Sequence, residues 1–317
     1  MSQIDELRMI ARVARMYYEW GLRQSEIANQ LGFSQATVSR LINRSKEEGI
    51  IRILINLPKG VYTELEETLV RNFGLRDAIV VDSLEDNESL IQRDLGAATA
   101  YYLESAINPN EVIGISSWSA TLLALVDALH SVPRKPGVKV VQILGGVGNP
   151  AVEAHATRLT SRMAQLVKGE AVYLPVTGVL ASEAARDILA ADESAQQAIR
   201  LFDQVTTALV GIGAIDPSPL LAQSGNIFSP KEYDLLRKAN AVGDILERFF
   251  DQNGNLVNTG LEKRVISMSL EQLSKVNRAI GVAGGSRKFE AILGALRGHW
   301  VNILVTDHFT AKRLASL

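Results

Sequence analysis

The run Ser34-Gln35-Ala36-Thr37-Val38-Ser39-Arg40-Leu41-Ile42-Asn43-Arg44 is built from residue types that read nucleic-acid bases. Gln and Asn can pair with adenine edges, Arg with guanine or phosphate, and Thr or Ala with the thymine methyl. In a helix, Val38, Leu41 and Ile42 would share one face, leaving Gln35, Thr37, Ser39, Arg40, Asn43 and Arg44 on the others. Ser34 stands where its hydroxyl can satisfy a free N–H of the first turn. A second short helix fits residues 24–31, burying Ile27, Ala28 and Leu31, and nine residues separate Ala28 from Thr37 with Gly32 in the turn between. A first helix over residues 5–20 buries Leu7, Ile10, Val13, Ala14 and Tyr17, and residues 50–55 read as a strand. This is the layout of a winged helix-turn-helix. It makes Gln24, Ser34, Gln35, Ala36, Thr37, Ser39, Arg40, Asn43 and Arg44 candidate contacts to double-stranded DNA. The competing reading is an ordinary three-helix bundle with a polar outer face.

A second set of residues suits a small polar ligand. Four loops follow apolar runs: Ser116-Ser117-Trp118-Ser119, Gly145-Gly146-Val147-Gly148, Gly211-Ile212-Gly213 and Gly284-Gly285-Ser286-Arg287-Lys288. Gly lets a backbone approach an anion closely, and a following helix start offers free N–H groups at its positive end. Asp244 can bind a pair of hydroxyls and Lys288 a phosphate. The candidate effector contacts are Ser116, Ser117, Trp118, Ser119, Gly145, Gly146, Val147, Gly211, Gly213, Asp244 and Lys288, with Trp118 at the mouth. Taken singly, each loop also reads as a tight strand-to-helix turn, Asp244 as a cap and Lys288 as a solvated lysine.

Rival chemistries fare worse. Gly146-Val147-Gly148-Asn149-Pro150-Ala151 matches G-x-G-x-x-A, but the next apolar run ends in Pro175-Val176-Thr177 and offers no acid for a ribose; Glu170 is at its start. No G-x-x-x-x-G-K-[ST] occurs, and Gly114-Ile115-Ser116-Ser117-Trp118 fails the G-x-S-x-G elbow at its last position. His130, His155, His299 and His308 form no metal-binding pair and read as surface or helix-end residues; with no Cys there is no thiolate site either. No metal or cofactor is expected.

These residues need elements to hold them. Strands are expected at 78–81, 112–115, 138–144, 171–174, 208–212, 279–282 and 301–305. Helices fall at 88–107, 120–130, 151–167, 183–190, 288–296 and 309–315. Apolar strands alternating with helices make an α/β fold with a mostly parallel sheet covered on both faces, and such sheets bind ligands beyond the carboxyl ends of their strands. A helix over 61–73 serves as a linker, a dimer contact or a layer on its own domain. The linker candidate is Leu57-Pro58-Lys59-Gly60. Domains are therefore set at 1–57 and 58–317, which suits 317 residues at about 150 per domain. Residues 1–60 hold nine Lys/Arg against six acids, while the whole chain is −2, so the remainder is −5. This balance excludes both a polybasic protein and an acidic disordered chain. No apolar run reaches the ~18 residues of a membrane span, and the N-terminus lacks an apolar signal core; a soluble cytoplasmic protein is expected.

In its order of motifs the chain resembles bacterial transcriptional regulators of the SorC/DeoR sugar-binding type over essentially its whole length. The matching residues are Tyr17-Tyr18, Gly21 to Ala28, Thr37 to Leu41, Gly49-Ile50-Ile51, Phe73-Gly74-Leu75, Gly145-Gly146, Val210 to Gly213, Gly243-Asp244-Ile245, Gly281 to Gly285 and Asn302 to Asp307. The resemblance implies a Rossmann-like effector domain similar to glucosamine-6-phosphate deaminase and ribose-5-phosphate isomerase. It also implies a sugar, polyol or sugar-phosphate effector, phosphorylated autoinducer-2 in one branch, which this chain resembles around Asp244 and Lys288. Two departures stand out: Arg23 where relatives often have Thr, and Ser116-Ser117-Trp118 where they often carry an aromatic or Gly. The function expected is an effector-controlled repressor, acting as a dimer or tetramer because one winged module makes few phosphate contacts. The alternative is a sugar-phosphate isomerase or deaminase with an accessory N-terminal domain, for which the sequence shows no convincing acid–base pair.

Overall fold

The computed structural model describes residues 3–51 and 58–317. The chain divides into two compact units, Met1–Pro58 and Lys59–Leu317.

In the first unit, α1 (Gln3–Tyr18), α2 (Gln24–Leu31) and α3 (Gln35–Glu47) pack around Val13, Met16, Ile27, Ala28, Val38 and Ile42. Met16 is buried where the sequence pattern favours Tyr17, which is only partly covered. Gly32 ends α2 at φ 69°, and its N–H returns to the Ala28 carbonyl, the left-handed exit that glycine makes without strain. Ser34 caps α3 by accepting the Thr37 N–H at 3.2 Å. Arg23 cannot accept a bond from the helix, but its own N–H donates to Glu26 at 2.7 Å, so half a capping box remains. After Gly49, the Ile51 N–H reaches the Ser45 carbonyl. The wing strand expected over residues 50–55 lies outside the described residues from 52 onward.

The second unit opens with α4 (Thr63–Phe73), which packs on β1 (Asp77–Val81) and on the last helix, α14 (His308–Ala315), burying Leu69. The 61–73 helix is thus a layer of its own domain. Tyr62, just before it, donates to Asp82 at 2.6 Å and stacks on His308 at 5.2 Å. His308 is at a helix end, as expected, but it is buried.

Then follow α5 (Glu88–Ala106), β2 (Val112–Ile115), α6 (Ala120–Ala128), β3 (Lys139–Gln142), α7 (Pro150–Val167), β4 (Glu170–Val172), α8 (Glu183–Ala191), α9 (Glu193–Ile199) and β5 (Thr207–Gly211). After these come β6 (Gly213–Ala214), α10 (Pro219–Ser224), α11 (Pro230–Lys238), β7 (Ala241–Ile245), β8 (Arg248–Asp251), α12 (Leu270–Leu273), β9 (Arg278–Val282), α13 (Phe289–Arg297) and β10 (Ile303–Asp307). The seven expected strands form one sheet in the order β1-β10-β9-β5-β2-β3-β4, with every pairing parallel. Strands β2, β9 and β10 are buried at every position, as a sheet covered on both faces requires.

The order reverses at the centre. From β2 the chain steps outward to β3 and β4; from β5 it steps the other way to β9 and β10. The carboxyl ends of β2 and β5 therefore diverge, and the crevice between them is where an open parallel sheet accepts a ligand. A second, antiparallel sheet, β6-β7-β8, which the sequence pattern does not show, hangs from the end of β5.

Candidate functional site: an effector cavity and a polar recognition helix

The cavity sits at that crevice and encloses about 630 Å³ of empty space, the open solvent at its mouth included. The loop after β2 and the start of α6 supply Ser116, Trp118, Ser119 and Thr121; the β5–β6 turn supplies Gly211, Ile212 and Gly213; β7 supplies Asp244; and the turn before α13 supplies Lys288.

Two glycines explain why these parts meet. A Cβ on Gly213 would stand 2.1 Å from Asp244 Oδ1, so only glycine there leaves the carboxylate its place. A Cβ on Gly243 would meet Ala291 of α13 at 2.3 Å. Its absence lets α13 lie against β7, so that the Lys288 ammonium and the Asp244 carboxylate line one cavity.

Ser119 caps α6 by accepting the Leu122 N–H at 3.3 Å. Burial pushes the Asp244 carboxyl up to about 6, against the Glu247 N–H, which donates to it at 3.1 Å, and against nearby Lys288. Burial lowers the Lys288 ammonium, while Glu88 and Asp244 pull it back up. A cation and a carboxylate that both lean toward neutrality without a ligand suit a guest with polar groups of its own.

Seven of the eleven expected effector residues line this cavity: Ser116, Trp118, Ser119, Gly211, Gly213, Asp244 and Lys288. Trp118 is only 4% exposed and donates from Nε1 to the Gly145 carbonyl at 3.0 Å, so it forms the wall and not the mouth. Ser117, Gly145, Gly146 and Val147 lie outside the lining. Ser117 Oγ donates to the Leu144 carbonyl at 2.6 Å. Gly146 and Val147 bond across to the Leu174 and Val176 carbonyls, and a Cβ on Gly145 would stand 2.5 Å from the Gly178 nitrogen. Those glycines pack closely beside β3, against the segment at residues 174–178 and the Gln142 side chain.

The sequence reading missed Gln92, Thr121, Asp216, Ser218, Glu247 and Arg287 in the lining. Arg287 is held by Glu88 at 2.7 Å, and Asp216 is paired with Arg237. Among the described residues, no group of three or more His, Cys, Asp or Glu side chains is placed to hold a metal ion.

The helix-turn-helix keeps its polar face open. Gln35, Ala36, Arg40 and Asn43 are exposed; Gln24, Thr37, Ser39 and Arg44 are half-buried. Ser34 Oγ lies 2.9 Å from Thr37 Oγ1, which in turn accepts a bond from Arg40 at 3.3 Å. This short chain of bonds lines up three of the expected DNA contacts along the first turns of α3. Arg44 differs: Glu6 and, at 3.2 Å, Glu48 both hold it, and those hydrogen bonds keep its guanidinium protonated.

A helix-turn-helix with an open polar helix, on one chain with an α/β unit that carries a polar cavity at its switch point, defines a ligand-responsive DNA-binding regulator. A family model described as "Putative sugar-binding domain" matches residues 60–316, and one described as a homeodomain-like domain matches residues 5–53. The chain is 32% identical to the sorbitol operon regulator of Klebsiella pneumoniae, covering 99% of each, and 32% identical to the deoxyribonucleoside regulator of Bacillus subtilis, covering 98% of each. It is 33% identical to the transcriptional regulator LsrR of Escherichia coli K12, covering 98% of this chain and 95% of that one. The crystal structure of full-length SorC from K. pneumoniae superposes with a TM-score of 0.73 at 31% identity, covering 98% of this chain and 99% of that one. The chain belongs to the SorC/DeoR-type family of transcriptional regulators with a sugar-binding domain. It is a regulator and not a sugar-phosphate enzyme: these curated relatives, matched from end to end, are regulators. No helix among the described residues is long and apolar enough to cross a membrane.

Proposed function

We propose that this chain represses a carbohydrate-related operon in the cytoplasm, as a homodimer or homotetramer, and that a sugar, polyol or sugar phosphate bound in the cavity sets its grip on operator DNA. Residues 1–57 are the DNA reader and residues 58–317 the effector and oligomerisation domain. The observation that carries this reading is the meeting of Asp244, Lys288 and Ser119 in one cavity at the sheet's switch point.

On this reading Ser116, Ser119, Asp244 and Lys288 bind the effector, with the backbone at Gly211 and Gly213 and the wall of Trp118 around it. Sorbitol and deoxyribonucleoside systems belong to the named relatives; they support a carbohydrate-derived effector here. The effector shifts DNA affinity only as far as it prefers one arrangement of the molecule over another.

A thermal-shift screen against sugars, polyols and their phosphates tests the reading, and a shift by at least one of them is the expected result. Trp118 reports binding independently, because a ligand against a buried indole changes its fluorescence. Lys288→Ala is expected to weaken a phosphorylated ligand about 10- to 100-fold, the worth of one charge-assisted hydrogen bond, and a neutral ligand much less. Equal weakening of both would show that Lys288 does not meet a phosphate.

A further inference from the structure

The β7–β8 hairpin closes through only two residues, Leu246 and Glu247, between the paired Ile245 and Arg248. Both adopt left-handed backbone, φ 57° and 59°. A two-residue turn of this kind favours Asn-Gly or Gly-Gly, and a branched-chain-sized Leu followed by Glu is a strained choice. The strain delivers the Glu247 side chain into the effector cavity. That side chain is 2% exposed, and its Oε2 has no hydrogen-bond partner. The same turn directs the Glu247 N–H to Asp244 Oδ2, and both residues line the cavity, near enough for the Asp244 charge to act on the Glu247 carboxyl. Of the two cations in the lining, Arg287 is already committed to Glu88. A buried carboxyl oxygen without a partner is costly, and the fold supplies nothing to satisfy it.

We propose that Glu247 is a specificity-determining residue of the effector site: with Asp244 it forms a two-carboxyl clamp for adjacent hydroxyls of a polyhydroxylated effector. This rests on the reading of the cavity as the effector site. The chemistry fits a neutral diol. Burial, then the neighbouring Asp244, raises the Glu247 carboxyl well above its usual range, and burial raises Asp244 as well. Burial thus favours the neutral form of each carboxyl, and a neutral carboxyl can both donate to and accept from hydroxyls. A phosphate placed at this edge would meet acceptors and negative charge, so any phosphate on the effector points toward Lys288. A site built to bond a hydroxyl rejects the analogue that lacks it, because its own buried group is then left unpaired.

The test uses the full chain and calorimetry with pentitols, hexitols, their terminal phosphate esters and the matched monodeoxy analogues. Wild type is expected to bind a parent compound and to lose about tenfold or more on the analogue missing the clamped hydroxyl. Glu247→Ala is expected to weaken the parent by about tenfold or more while leaving that deoxy analogue nearly unchanged, since the two changes remove the same bond. Glu247→Gly keeps the turn without strain; it is expected to melt at or above the wild-type temperature and to lose the same selectivity. That variant separates recognition from folding. Unchanged parent affinity in both variants, or equal weakening of parent and deoxy analogue, overturns the clamp while the effector site stands. Wild type that binds no member of the panel overturns the effector reading and the clamp with it.

Discussion

Arg40→Ala is expected to abolish operator recognition and to leave effector binding intact. Arg40 projects from the exposed side of α3, and its guanidinium is set against Thr37 Oγ1, itself tied to the capping residue Ser34. An arginine so oriented, near the start of a recognition helix, is positioned for a bidentate contact to guanine, worth about 1–3 kcal/mol. If the proposed dimer reads two half-sites, the loss doubles, to roughly 30-fold and up to more than 10⁴-fold in affinity. Binding to a duplex selected from a random-sequence library, measured across a salt series, is the check. Loss confined to the selected sequence marks a base contact. A uniform loss, with a salt slope shallower by about one phosphate per half-site, marks a backbone contact. Operator affinity unchanged at moderate salt would remove α3 from the major groove. Arg44→Ala is the informative neighbour: its side chain already serves Glu6 and Glu48, so its loss falls on the packing of α1 against α3 as well as on DNA.

The contrast between Arg40 and Arg44 shows what a sequence can and cannot carry. Both occupy outward positions of the same helix, and helical spacing alone treats them alike. Only the approach of α1, which brings Glu6 from 38 residues away, separates them. The cavity repeats the lesson. Lys288 was legible because it follows a Gly-rich loop at the end of an apolar run, where a parallel sheet presents ligand groups; Asp244 was legible by its residue type alone, and it sits on the antiparallel strand β7. Glu247 was not: its value comes from a left-handed turn that its own residue type disfavours, and from the small antiparallel sheet. Those strands are short, and Gly213 and Gly243 blur their period.

The Gly145-Gly146 pair makes a related point. Gly permits close approach, but sequence does not say to what; the structure brings this pair against the backbone at residues 174–178. The seven parallel strands, by contrast, were readable from their apolar runs, which are continuous in the inner strands because those are buried on both faces.

A feature wholly beyond sequence reading governs the stability of the effector domain. Arg278, at the start of β9, is buried with Glu111, which lies 167 residues earlier in the chain, at the opposite end of the sheet's strands from the cavity. Its Nε donates to Thr207 Oγ1 at 2.9 Å, one terminal nitrogen donates to the Ala106 carbonyl at 2.6 Å, and the other bonds Glu111. Glu111 also accepts from Thr207 Oγ1 at 2.6 Å and from the Asn108 N–H at 2.9 Å. The cluster ties the end of α5 and the residue before β2 to the first residues of β5 and β9. Removing one partner strands the other as an unpaired buried charge, so Glu111→Ala is expected to cost about 3–5 kcal/mol. At roughly 2–4 °C per kcal/mol for a domain of this size, the melting temperature falls by roughly 6–20 °C. The pair itself is worth much less than that loss suggests, because desolvation offsets most of its attraction. Glu111→Leu combined with Arg278→Met, two apolar side chains of similar bulk, is therefore expected to recover most of the stability lost in either single variant. Denaturant unfolding of the four proteins decides the matter. Single variants within about 1 kcal/mol of wild type would mean that water replaces the missing partner, and a double variant no better than the worse single would mean that the bonds to Thr207, Ala106 and Asn108, not the charge, hold this end of the sheet together.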